Sequence, residues 1–197
     1  MILEGIVTTL GPLGELNVAP MGPFVEPGWR HFVLRPFRTS TTYRNLAARG
    51  EAVIHVVDDV LLLARAAIGL PVDPPIRPAV AIEGRILVDS CRYYEVRVVA
   101  LDDRDDRTTI RVEALAEGRH RDAFGLNRAK HAVVEAAILA TRLDFLSLDA
   151  VRAQFDALAP LIEKTGGPAE RAAFDLLAGH LGEVAAGRES APGPALP

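Results

Sequence analysis

Along the first two-thirds of the chain, apolar residues come in short alternating or continuous bursts separated by turn-forming residues. "GIVTTL" is apolar and β-branched, and "GPLG" (Gly11 to Gly14) interrupts it. "ELNVAPM" extends the chain again as far as Pro20, and "EPG" turns it once more. "WRHFVLRPF" alternates Trp29, Phe32 or Val33, and Phe37 with polar residues. "AVIHVVDD" is nearly continuous in apolar character, the pattern of a strand buried on both faces. "CRYYEVRVVALD" and "RTTIRVEALAEG" are two long β-type runs on either side of "DDRDD" (Asp102 to Asp106), which reads as a polar hairpin loop rather than a metal site.

A different period interrupts these strands twice and then takes over. "STTYRNLAARG" opens on hydroxyl caps and closes on Gly50; "DVLLLARAAIG" opens on Asp58 or Asp59 and closes on Gly69. The next segment, "LPVDPPIRPAV", holds four prolines and reads as an exposed loop or lid without regular structure. Beyond about residue 120 three helices are predicted. The first is capped by Asn127 and carries Val133, Val134, Ala137, Ile138 and Thr141 at helical spacing. The second starts at Ser147 and puts Val151, Phe155, Leu158 and Ile162 on one face. The third starts at Pro168 and carries Phe174, Leu177, Leu181 and Val184. "EKTGG" between the last two reads as a helix end with its glycine cap, not as a phosphate loop.

The pattern therefore predicts a mainly β protein with C-terminal α structure. An antiparallel unit of about six or seven strands would protect its edges by curling into a barrel. The division that follows is a β unit over residues 1–120, a helical subdomain over 121–187 and a disordered Pro- and Gly-rich tail over 188–197.

Composition narrows the function classes. At 197 residues with 49% hydrophobic content the chain can bury a real core. A formal net charge of −4 argues against a general nucleic-acid binder, so no nucleic-acid partner is expected. The single cysteine, Cys91, excludes an intrachain disulfide, makes a reducing cytoplasm the default location, and reads as inert filler. No basic n-region opens the chain and no apolar run spans a bilayer, so no membrane association is expected. The five histidines show no metal-ligand spacing, and no metal is predicted; His55, inside an apolar strand, reads as a hydrogen-bonded core residue.

One short segment departs from solvated-loop composition. Within eleven positions the chain places Arg35, Arg38, Ser40, Thr41, Thr42, Arg44 and Asn45, at a strand-to-helix transition. Helix starts carry unpaired N–H groups and a positive dipole, and arginines add charge-assisted donors, so the segment suits an oxyanion. The competing reading is plain helix capping with solvated arginines. "LNVAPMG", with Asn17, Ala19, Pro20, Met21 and Gly22, reads as an edge strand whose small residues and proline would let a flat ligand approach. "GLNRAKHAVVEAA" puts Asn127, Arg128, Lys130 and His131 at another helix start, a second candidate anion seat or else a basic surface turn, with Glu135 as a buried partner for one of its cations.

"NVAPMG", then "LRPFRTSTTYRNL", then "GEAVIHVVDDV", resembles the flavin-reductase-type FMN-binding split barrel. More closely, "IVTT", "NVAPMG", "RPF", "STTYRNL", "VDD", "YYEV", "GLNRAK", "VVEAAILATRL" and "IEKTGG" resemble an uncharacterised family of split-barrel flavoproteins. That family occurs in methanogenic archaea and in bacteria with pterin-linked one-carbon metabolism, and the likeness runs from about residue 2 to residue 175. The resemblance implies an antiparallel split β-barrel with a three-helix C-terminal segment, FMN as cofactor, and a homodimer with the flavin near the subunit interface. It implies that Arg35, Ser40, Thr42 and Asn45 meet the phosphate. The ring would lie along Asn17 to Met21, including Ala19 and Pro20, near Thr8 or Thr9. Asn127, Arg128 and Lys130 would reach the phosphate or a charged substrate. Tyr43 is left equally between site and core. Where the family pattern favours an Asn/Asp-Gly hairpin this chain has Gly11–Pro12–Leu13–Gly14, which changes the loop and not the cofactor.

The function so implied is a flavin-dependent reductase or other oxidoreductase of unassigned substrate, with NAD(P)H or another small molecule as electron donor and a link to pterin one-carbon metabolism. A pterin-pathway enzyme holding a carboxylated pterin in the basic pocket is one form of it. The alternative is a non-catalytic FMN-binding carrier, sensor or assembly module. No residue is singled out as catalytic.

Overall fold

The computed structural model describes residues 1–189; residues 190–197, most of the segment expected to be a disordered tail, lie outside the described residues. The element order is β1 (Gly5–Leu10), β2 (Leu16–Met21), β3 (Phe24–Val25), β4 (His31–Leu34), α1 (Thr41–Arg49), β5 (Glu51–Val56), α2 (Val60–Ala67), β6 (Ile76–Pro78), β7 (Arg85–Leu87), β8 (Arg92–Asp102), β9 (Thr109–Arg119), α3 (Arg128–Ala140), α4 (Leu148–Thr165) and α5 (Pro168–Glu189). Two compact units result. One comprises Met1–Asp59 with Val72–Phe124; the other comprises Val60–Pro71 with the chain from Gly125 onward. A cut at residue 120 leaves α2 with the strands, whereas its Val60, Leu63 and Ala64 pack into the same apolar core as α3, α4 and α5. Hydrophobic spacing reveals that a helix has a buried face but not which partner buries it.

In the first unit seven strands form one antiparallel sheet in the order β2-β1-β5-β8-β9-β4-β3. Alternation along each strand separates two faces. Val7, Ile54, Tyr94, Val96, Ile110, Val112, Phe32 and Leu34 point inward into a single core, with Leu46 of α1 laid against it. The sheet curls back on itself at its start. Leu3 N–H donates to Pro23 O at 3.0 Å, Val25 N–H donates to Met1 O at 2.8 Å, and Ile2 pairs with Phe24. The residues just before β1 thus pair with the far edge strand β3, while β2 stays outside the closure as a splayed edge. This is the split barrel that the sequence resemblance implied.

The other face is covered by a structure the sequence did not disclose. The proline-rich segment read as an irregular loop contains β6, which pairs with β7 as a two-stranded ribbon. Two of its four prolines flank the strand and Pro78 ends it, where a missing N–H costs little. Val53, Ile82 and Ile86 form a small apolar cluster beneath the ribbon. Glu95, fully buried, accepts from Val80 N–H at 2.9 Å and from Ala81 N–H at 2.5 Å and so fixes the turn.

His55 is the polar rivet of that face. Its Nε2 accepts from Leu87 N–H at 3.0 Å, so the proton sits on Nδ1, which donates to Ile6 O at 3.2 Å. One ring joins β5, β1 and β7. Burial pushes its imidazole down to about 3 from the ordinary 6.5. Between those two values the unfolded chain binds a proton at this residue and the folded chain does not. Stability therefore rises with pH across the window and is lost as pH falls through it. Long-range 1H–15N spectra at pH 5 are expected to show His55 as the neutral Nδ1–H tautomer, with the unfolding free energy losing up to about 1.4 kcal/mol per pH unit to this group below pH 6. An imidazolium signal for His55 at pH 5 would contradict this account.

Candidate functional site

The arginine-and-hydroxyl corner begins at the end of β4 and runs into α1. Ser40 is the N-cap; its Oγ accepts from Tyr43 N–H at 3.1 Å, an arrangement that stabilises a helix start by about 1 kcal/mol. Its own hydroxyl proton remains available to donate. Arg44 folds back over the same turn, donating to Thr39 O at 2.6 Å and to Thr41 Oγ1 at 2.9 Å. No acidic residue lies in the first turn of α1, so the positive end of its dipole is uncompensated there. Arg35 and Arg38 are exposed and form no ion pair among the described residues.

Behind the corner lies a buried polar knot. Asn17 Nδ2 donates to Thr9 Oγ1 at 3.2 Å and to Thr42 Oγ1 at 3.1 Å, and Asn45 Nδ2 donates to Thr9 Oγ1 at 3.0 Å. Thr9, Thr42 and Asn45 are buried, and Asn17 is half-buried. The knot couples β1, β2 and the first turns of α1. It follows from register: Thr9 pairs directly with Asn17, both on the inward face. The neighbouring Thr8 points the other way, and its Oγ1 donates to Arg85 O at 2.6 Å. Thr8 is therefore committed to the opposite face. Beyond Asn17 the strand continues through Ala19, Pro20 and Met21, every residue of β2 half-exposed, with one side of its backbone unpaired because β2 is the sheet edge.

The tip of the β8–β9 hairpin supports this corner, which the sequence did not reveal. Arg38 N–H donates to Asp106 O at 2.9 Å, and Thr108 donates to Pro36 O through both its N–H (3.0 Å) and its Oγ1 (2.8 Å). Tyr43 OH donates to Asp103 Oδ2 at 2.7 Å. That hydrogen bond to a carboxylate pushes the phenol above its ordinary range, so Tyr43 stays protonated and donating at neutral pH. Tyr43 packs at the rim of the barrel core and ties the corner to the hairpin at once. "DDRDD" read alone is a solvated turn; nothing local signals that Asp103 meets a residue sixty positions away.

The second candidate seat sits within the helical unit. Asn127 caps α3, accepting from Lys130 N–H at 3.0 Å and donating to Thr165 O at 3.1 Å. Arg128 is exposed. Lys130 Nζ meets Glu170 Oε1 at 2.8 Å, with the two side chains 18% and 10% exposed. Glu135, the acid expected to be a buried partner, is exposed; the buried one is Glu170. A local signal for it did exist. Glu170 is the third residue of α5 and reaches back to Gly167 N–H at 2.9 Å, half of a capping box. Asn127 and Lys130 thus have structural work in this unit, holding the α4–α5 junction to the start of α3.

Other candidates resolve simply. Cys91 is buried and its thiol is pushed up, first by burial. No group of three or more His, Cys, Asp or Glu among the described residues is placed to hold a metal ion. No helix among the described residues is long and apolar enough to cross a membrane. A shallow depression of about 260 Å³ beside β4 and β9, lined by Glu26, His31, Val33, Val99 and Arg111, lies apart from the corner and contains none of its residues.

Two family models match the chain, and their boundary lies close to residue 120, with α2 inside the first of them. Residues 3–121 match the family model described as "Protein of unknown function (DUF447) N-terminal domain", and residues 127–179 match "Protein of unknown function (DUF447)". No curated protein matches the sequence. Among solved structures, the FMN-bound protein MM1853 from Methanosarcina mazei, of the same family model, superposes with a TM-score of 0.77. It is 23% identical over 91% of this chain and 94% of that one. An FMN-binding protein from Thermus thermophilus with bound 1-cyclohex-2-enone gives 0.53 at 12% identity, over 61% and 72% of the two chains. A flavoredoxin from Methanosarcina acetivorans gives 0.52 at 10% identity, over 60% and 68%. At these identities the likeness establishes the fold.

The Lys130–Glu170 pair yields a test. Lys130 holds the Glu170 carboxyl below its ordinary range. A depressed carboxyl contributes stability above its unfolded value, and that contribution is lost as pH falls through the folded value. Glu170→Gln is expected to lower the urea-unfolding free energy by about 1.5–3 kcal/mol at pH 7. The difference from the parent protein should narrow as the medium is acidified below pH 4.5. A gap of constant size across that range would show that the charge is not what matters.

Proposed function

This chain belongs to the DUF447 family, and we propose that it is an FMN-binding flavoprotein that works as a flavin-dependent oxidoreductase. The observation that carries the reading is the meeting of Thr9, Asn17, Thr42 and Asn45 behind an acid-free helix start that closely follows two exposed arginines with no ion pair among the described residues. The donor set fits a phosphate monoester. Ser40 and Thr42 have hydroxyl protons to give, the first-turn N–H groups of α1 point the same way, and Arg35 and Arg38 supply charge. The splayed strand Asn17–Met21 fits the flat ring, because an edge backbone offers unpaired N–H and C=O groups and Ala19 and Pro20 keep side-chain bulk low.

When bound, FMN supplies hydride or single-electron chemistry; the protein binds it, orients it and tunes its surroundings. In this chain Asn17 and Asn45 fix the hydroxyls of Thr9 and Thr42, Arg44 fixes the loop 39–41, and the Tyr43–Asp103 bond fixes the first turn of α1 against the hairpin. The corner holds no carboxylate or histidine of its own, only arginines, hydroxyls and amides with Tyr43 bound to Asp103, which supports redox chemistry carried by the cofactor rather than proton transfer by side chains. A nicotinamide cofactor is the proposed donor, and a pterin-linked substrate is the narrower form of the same reading. Association as a homodimer is proposed as well, supported by exposed Val99, Leu101 and Leu115 on the long hairpin.

The freshly purified protein is expected to be yellow, or to quench FMN fluorescence stoichiometrically on titration. Arg35→Ala with Ser40→Ala removes at least two charge-assisted hydrogen bonds worth about 1.5–3 kcal/mol each, so FMN should bind roughly 100- to 10,000-fold more weakly, while riboflavin binding changes little. Equal losses for FMN and riboflavin would refute the phosphate assignment. Anaerobic stopped-flow mixing with NADH and NADPH is expected to bleach the bound flavin. Failure of both, and of a reduced deazaflavin, would leave the non-catalytic carrier or sensor as the better account.

A further inference from the structure

Trp29 has a backbone conformation that tryptophan rarely adopts. Its φ is +57°, following Gly28 at +88° in the β3–β4 hairpin. A bulky residue in the left-handed region costs about 1–3 kcal/mol and persists only when something else holds it there. What holds it is aromatic packing: the indole stacks on Tyr94 with centroids 5.5 Å apart and planes 18° apart, and meets Phe32 edge-on at 6.3 Å. Tyr94 is buried beneath it, while Trp29 remains half-exposed. Part of a large aromatic surface therefore faces solvent at one end of the barrel's inner face.

Register shows what surrounds it. Tyr94 pairs with Ile54 and Glu117, and one same-face step along β8 is Arg92, which pairs with Val56 and with Arg119. Two arginines thus stand directly opposite each other across neighbouring strands, a pairing that is unfavourable unless the charges are answered. Arg119 is answered by Asp122. Arg92 is exposed, forms no ion pair among the described residues, and interacts with the Tyr94 hydroxyl. Glu117, opposite Tyr94, is the other charged group on this face, and it is exposed. Continuing the same row through β1 leads from Val56 past Gly5, which has no side chain, to Met21 at the end of β2. At about 4.8 Å per strand, Arg92 lies roughly 14 Å from the Met21 position along the sheet. Met21, Val56, Trp29, Leu3 and Val25 are half-buried and pack against the same apolar core.

We propose that this end of the inner face binds a planar aromatic or heteroaromatic carboxylate, its ring laid on the indole of Trp29 and its carboxylate met by Arg92. The stacked, half-exposed indole supplies a flat apolar surface, and the guanidinium matches a carboxylate in bidentate fashion. A purely structural cap over Tyr94 would not need Arg92 facing Arg119 across the strand. As a substrate site this rests on the proposed flavin function, because the row ends at the strand assigned to the flavin ring; as a binding site it does not.

The chain has one tryptophan, so its 1H–15N spectrum carries one indole signal and reports this site directly. The experiment titrates 2-naphthoate, and separately the uncharged 2-naphthalenemethanol, into FMN-free and FMN-supplemented protein. Naphthoate is expected to shift the Trp29 indole signal saturably, and the alcohol to bind about tenfold more weakly or worse. Arg92→Gln, at an exposed position, should weaken naphthoate binding by a similar factor, while Arg92→Lys, which keeps the charge but loses the bidentate fork, should fall between the two. An indole signal that does not move, or naphthoate binding equal in Arg92→Gln and the parent protein, overturns the proposal. If naphthoate binds as expected but FMN does not, the site stands and the flavin reading falls; if FMN binds and the indole is silent, the reverse holds.

Discussion

The structure depends on how the sheet closes. Hydrogen bonds from Leu3 and to Met1 join the start of the chain to β3, so six strands close on an apolar interior and β2 is left over. Closure removes the exposed edges that make antiparallel sheets prone to association. It also defines the candidate site, because the strand left outside is the one with unpaired backbone and half-exposed residues along its length. Had β2 been drawn into the closure, Asn17 and Thr9 would still pair, but no edge would lie beside the arginine corner.

The knot of Thr9, Asn17, Thr42 and Asn45 shows how a corner of this kind is made rigid without charge. Its members are neutral, so burying them needs only satisfied hydrogen bonds, and no buried side-chain polar atom lacks a partner among the described residues. The charged members, Arg35 and Arg38, are kept outside, where desolvation is small. Their backbone is held from behind by Thr108 and Asp106 of the hairpin. Rigid neutral support behind solvated charge is the arrangement that the proposed anion seat would need in order to bind without rearrangement.

The helical unit follows a different logic. Its core is alanine-rich and close-packed, with Ala129, Ala132, Ala136 and Ala140 along one side of α3. Its polar junction uses an ion pair, Lys130 with Glu170, that also caps α5. The basic start of α3 looked like a ligand seat because three cations near a helix N-terminus oppose the dipole. The structure answers one of them with an acid forty residues away.

The sequence by itself determined the order and kind of most elements, β3, β6 and β7 excepted, because hydrophobic period, caps and prolines act within a few residues. Ser40, Asn127 and Ser147 all cap where their spacing said they would, and His55 fell in a buried strand where a ring must find partners. Motif likeness supplied the barrel, and with it the expectation of a flavin. What only the tertiary structure decided were the pairings between distant residues: Tyr43 with Asp103, Lys130 with Glu170 rather than Glu135, α2 with the C-terminal helices, and Thr9 rather than Thr8 in the knot. Each turns on register or on which surfaces meet, and a one-residue step in a strand reverses the face. Local pattern carries the propensity of a segment; it carries no information about which side chain the fold will bring opposite.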